Sequence, residues 1–98
     1  MLYTEDHQQF LKKQTELYKL YLQKNKCYGN CYKDYGAIGI IIRMNDKINR
    51  LRTITNHSVN IDCGDESLKD TLRDLGNYAV LALMEIDRLE REQDDIHN

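Results

Sequence analysis

The 98-residue sequence contains no proline, no tryptophan, a single phenylalanine and five glycines. A fold of many strands needs turn residues every 8–12 positions or so, and this scarcity excludes one. Long apolar runs are also missing. The longest, residues 36–42, falls far short of the roughly 20 residues that span a bilayer. Charge of one sign is not in excess either, because the formal net charge is −2. The chain therefore has no global pull toward nucleic acid or a membrane surface. No basic start leads into an apolar run with a small-residue cleavage site, so a cytoplasmic protein is expected.

Cysteine is sparse and odd in number: Cys27, Cys31 and Cys63. That count fits a reducing compartment better than a disulfide framework. Cys27 and Cys31 stand in C-x3-C spacing, with His57 and Cys63 as possible further zinc ligands. Structural zinc sites usually open on a tighter C-x2-C pair. The spacing favours ordinary thiols.

What the chain does have is 41% hydrophobic and 31% charged residues, material for one all-α domain over residues 1–98. A first helix should start near Thr4, a plausible N-cap, with Glu5 and Asp6 in its first turn. Phe10, Leu11, Leu17, Tyr18, Tyr21 and Leu22 supply its apolar spacing, and Asn25 and Gly29 mark its end. Residues 25–35 mix Tyr28, Tyr32 and Tyr35 with Gly, Asn and Cys and read as an irregular connector. A second helix fits Ala37 to about Ile54, where Ile41, Met44, Ile48 and Leu51 share one face and Arg43, Lys47 and Arg50 another. Residues 56–65 read as a loop.

The third helix carries the clearest pattern. It starts at Asp65, a candidate N-cap, and runs to about Gln93. Leu68, Leu72, Leu75, Ala79, Ala82, Ile86 and Leu89 step by 4 and 3 without a break, the spacing of a coiled-coil seam. A helix of that length measures roughly 40 Å at 1.5 Å per residue. It would overhang a small domain, so self-association through it and an oligomeric bundle are expected. Antiparallel packing of the last two helices would set Met44, Ile48 and Leu51 against Leu68, Leu72 and Leu75, making Leu72 a core residue.

Glu66, Asp70 and Asp74 lie at i, i+4 and i+8, on one stripe of the third helix. Like charges so placed repel and call for a counterion, either Mg²⁺ or the Arg43/Lys47/Arg50 stripe opposite. Asp46, set among those three cations, would act as an internal clamp or as a further metal ligand. Arg43 and Arg50 can fork onto phosphate oxygens, and Arg50→Gln should then weaken nucleotide binding without loss of stability. Tyr28, Tyr32 and Tyr35 offer rings for stacking a base or simple packing over helix ends.

Three segments resemble one known family. K-N-K-C-Y-G at residues 24–29, R-M-N-D-K-I-N-R-L at 43–51 and D-E-S-L-K-D-T-L-R-D-L-G-N-Y-A at 65–79 are similar to the motifs of the nucleotide modification associated domain 1 family. That family comprises small proteins common in phages and Firmicutes. The resemblance spans about residues 20–86, with Cys27 standing where the family usually has Asp. It implies a nucleotide or nucleotide-derived ligand and adds Lys24 and Tyr28 to Arg43, Lys47 and Arg50 as ligand-contacting candidates. A more distant similarity to all-α pyrophosphatases of the MazG and dimeric dUTPase type implies an Mg²⁺ site at Glu66, Asp70 and Asp74. Such a site needs several carboxylates, whereas here one wall is acidic and the other basic.

Three functions therefore compete. The leading one is a nucleotide-binding protein without a required cofactor, which in a phage would serve as a sponge for a nucleotide-derived immune signal. The second is an Mg²⁺-dependent pyrophosphohydrolase using Glu66, Asp70, Asp74 and Asp46. The third is a helical interaction module.

Overall fold

A computed structural model describes the backbone over residues 2–55 and 66–97 and the side chains of residues 4–24, 35–55 and 66–95. It contains three helices, α1 (Leu2–Gln23), α2 (Asn25–Thr55) and α3 (Glu66–His97), and no strand among the described residues. The Lys24 amide donates to the Leu20 carbonyl at 3.0 Å, closing α1 one residue before α2 begins.

The expected irregular connector over 25–35 is helical instead and forms the first part of α2. Gly29 and Asn30 cost a helix at most about 1 kcal/mol each, and without proline nothing forbids it. The break comes at Gly36, whose φ of 61° and ψ of −146° kink α2. The helix expected from Ala37 is thus the segment beyond the kink. That backbone conformation is essentially reserved for glycine, and another residue there costs about 1–3 kcal/mol. A Cβ on Gly36 would meet only Glu85 Oε1, at an ordinary 3.6 Å. Gly36→Ala should therefore lower stability by that backbone cost alone, measurable as a shift in urea midpoint. An unchanged midpoint would show that the kink relaxes freely.

α2 beyond the kink runs antiparallel to α3. Gly36 lies beside Glu85, Ile40 packs with Tyr78 and Leu81, and Lys47 reaches Asp74. Tyr21, Met44 and Ala82 pack around Ile40, Tyr78 and Leu81, the buried hydrophobic core among the described residues. The core expected around Leu72 is not there: Leu72 is 50% and Ile48 39% exposed. The reason is angular. At about 100° per residue, the stripe through Leu72, Ala79 and Ile86 points well away from the one through Tyr78, Leu81 and Glu85. α3 has two apolar stripes, and its own chain covers the second.

α1 is held to α3 more lightly. Asn77, buried, donates its side-chain amide to the Leu17 carbonyl at 3.1 Å. Gly76 lets the helices approach there, since a Cβ would stand 3.2 Å from a Leu17 methyl. The molecule is long and thin, 52 × 36 × 25 Å, with a radius of gyration of 16.4 Å. A compact chain of this length would have about 13 Å.

Candidate functional site

The three helices meet at one carboxylate. Lys24, just past α1, places Nζ 3.6 Å from Asp74 Oδ1, and Lys47 on α2 places its own 3.3 Å from Oδ2. Asp74 is 16% exposed in its side chain, Lys47 27% and Lys24 43%. Two ammonium groups on one carboxylate leave a local positive charge with protons still free to donate, because each lysine carries three. A compact, flexible cation of this kind swings readily onto a phosphate oxygen.

A groove of about 390 Å³ lies between α1 and α3. Gln14, Tyr18 and Tyr21 line it from α1, and Asn77, Val80 and Met84 from α3. Tyr21 lies one turn before Lys24, and Asn77 one turn after Asp74, so residues of the groove neighbour the cluster along the chain. Its walls are apolar and aromatic, its ends polar. Those are the properties of a site for a planar ring carrying a charged tail.

A second cavity, of about 350 Å³, lies further along α3 between Leu81, Glu85, Arg88 and Arg91. Glu85 is buried there and accepts from Arg88 Nε at 3.0 Å, while Arg88 also pairs with Glu92. The Arg88 hydrogen bond holds the Glu85 carboxyl below its ordinary pKa and outweighs burial, which pushes it up. A depressed folded value means this contribution to stability is complete above the ordinary pKa of about 4.3 and drains away below it. Glu85→Gln should flatten the acid limb of a stability-against-pH curve below that point. An unchanged limb would assign acid unfolding to other carboxylates.

The sequence-derived site residues divide. Lys24, Lys47 and Asp74 come together as described. Glu66 and Asp70 turn to their own helix, Glu66 to Lys69 at 3.6 Å and Asp70 to Arg73 at 2.9 Å. The acidic and basic stripes therefore meet at Lys47 and Asp74 alone among the described residues. Arg43, Asp46 and Arg50 are exposed. No group of three His, Cys, Asp or Glu side chains that could hold a metal occurs among the described residues. Tyr28, Tyr32, Cys27, Cys31, His57 and Cys63 lie outside the described side chains, and the zinc and stacking readings with them. The groove residues Gln14, Tyr18 and Asn77 were not singled out from sequence. Tyr18 and Tyr21, three apart on α1, were the available signal, but helical spacing alone reads them as packing.

The family model for nucleotide modification associated domain 1 matches residues 24–86. The chain belongs to this family. The matched region opens at Lys24 and includes the Gly36 kink, Lys47, Asp74 and Asn77, so the whole ion cluster lies inside the domain. The α1 wall of the groove lies outside it. No curated protein and no solved structure matches the chain. The more distant similarity to MazG-type pyrophosphatases is not supported by these comparisons. No described helix is long and apolar enough to cross a membrane.

Proposed function

We propose that the protein binds a nucleotide or nucleotide-derived small molecule and releases it unchanged. The observation that carries this reading is the pair of lysines on Asp74, one helical turn along the chain from residues of a tyrosine-lined groove. Phosphate oxygens replace the carboxylate as acceptors for Lys24 and Lys47, and the base lies along Tyr18. Arg43 and Arg50, exposed on the same helix as Lys47, extend the basic surface for a ligand with more than one phosphate.

Hydrolysis is the weaker reading. Mg²⁺-assisted attack on a phosphoanhydride needs carboxylates free to take the ion, and here Glu66, Asp70 and Asp74 each hold a basic side chain. The ion would have to displace a cation from each one. Within the binding reading, sequestering a cyclic or otherwise nucleotide-derived messenger is the role that needs only affinity.

The test is to saturate the protein with a panel of linear and cyclic nucleotides, denature it by heat and chromatograph what is released. Intact ligand is the expected product. Monophosphates or pyrophosphate appearing only with Mg²⁺ would establish the pyrophosphohydrolase instead. Tyr18→Ala should weaken a nucleotide about tenfold, given roughly 1–3 kcal/mol per stacked base, and leave inorganic phosphate binding unchanged. Equal effects on both would remove the base from the groove.

A further inference from the structure

Much of the seam of α3 is exposed among the described residues. Leu72 is 50%, Leu83 64%, Ile86 42% and Leu89 37% exposed. Leu68, Leu75 and Ala79, on the same stripe, are half-buried. Scattered apolar residues on a surface are ordinary, whereas a continuous stripe of them marks an interface. The 4-and-3 spacing specifies the occupant's shape as another helix.

The charges along the stripe choose which helix. Continuing the spacing past Ile86 arrives at Leu89, and Glu90, an exposed acid, stands next to it at the edge of the seam. At the opposite end, Lys69 flanks Leu68 and Leu72. A parallel second copy would set Glu90 against Glu90. An antiparallel copy turned about Ala79 sets Leu72 against Ile86, Leu75 against Leu83 and Ala79 against itself. It also brings Lys69 within one residue of Glu90. Leu72, Leu75, Leu83 and Ile86 then each face an apolar side chain, Leu89 falls opposite Lys69, and the acid lies beside a base. A two-fold contact must be self-complementary in this way.

We infer that the protein is a dimer, or an even assembly of dimers, built on antiparallel α3–α3 pairing centred on Ala79. This does not rest on the ligand reading. The groove residues Asn77, Val80 and Met84 lie on a different side of α3 from the seam, so either inference can fail alone.

Light scattering on the full chain should give an even multiple of 11.6 kDa. Leu83→Glu should halve that mass with the helical circular dichroism retained, because Leu83 is not part of the protomer's core. A mass of 11.6 kDa, an odd multiple, or a mass that Leu83→Glu leaves unchanged would overturn the proposal. A charge exchange tests direction without touching the apolar seam. Lys69→Glu and Glu90→Lys should each raise the dissociation constant about tenfold, since each pair occurs twice. Combined, they should restore it. In a parallel pair the two positions are about 32 Å apart along the helix, so failure of the rescue would also overturn the proposal.

Discussion

Replacing Ile40 by alanine is expected to cost about 2–5 kcal/mol, the range for deleting a large buried aliphatic side chain. Ile40 is 0% exposed and packs against Tyr78 and Leu81, the other two members of the small buried core. Ile40 is the most completely enclosed side chain among the described residues, which favours the upper part of that range. For a chain of this size each kcal/mol moves Tm by about 4–8 °C. The melt should be read at one protein concentration, because association adds its own stabilisation by mass action. A loss below about 1 kcal/mol would mean the contact between α2 and α3 is centred elsewhere. Leu72→Ala, by contrast, should cost a single protomer little. Its effect should appear as a weaker dependence of Tm on concentration.

Neutralising both lysines of the ion cluster should give the largest loss of function. A charge-assisted hydrogen bond is worth about 1.5–3 kcal/mol. Losing two, in Lys24→Gln with Lys47→Gln, should weaken a nucleoside monophosphate about a hundredfold or more. Each partly exposed ion pair contributes no more than about 1 kcal/mol to folding, so the variant should remain folded and can be titrated by calorimetry. Inorganic phosphate should lose affinity in parallel, which Tyr18→Ala does not cause. An affinity within about tenfold of the native protein would place the phosphate elsewhere, with Arg43 and Arg50 as the next positions to change.

The sequence made some of this legible and concealed the rest for a physical reason. Spacing identified α3, and residue type identified an acidic stripe and a basic stripe as complementary, of which Lys47 and Asp74 meet. A helix from Ala37 was legible from its spacing, whereas residues 25–35, which read as an irregular connector, are helical up to the kink at Gly36. Periodicity did not reveal which stripe of α3 folds inward. Leu68, Leu72 and Leu75 are more hydrophobic than Thr71, Asn77 and Tyr78, yet the second set is buried against α1 and α2. Thr71 is satisfied by the Ser67 carbonyl at 2.6 Å and Asn77 by that of Leu17. Polar side chains that can find such partners enter a core at little cost. The richer stripe is left partly exposed. The Tyr18 groove was hidden differently, because it exists only where α1 crosses α3, and no spacing within one helix encodes a crossing.

α3 extends well past its last buried residue, Glu85, and residues 86–95 are exposed throughout. Their backbone hydrogen bonds are supported in the protomer by little more than Arg88 bridging Glu85 and Glu92. Local opening there is cheap, while opening around Thr71 or Leu81 requires the helices to separate. Amide hydrogen exchange along this single helix should therefore be graded rather than uniform, slow through Glu85 and orders of magnitude faster by Asp94. An uninterrupted helix would thus behave as two cooperative units, a slow one packed on α1 and α2 and a fast one whose protection tracks protein concentration as far as Glu90.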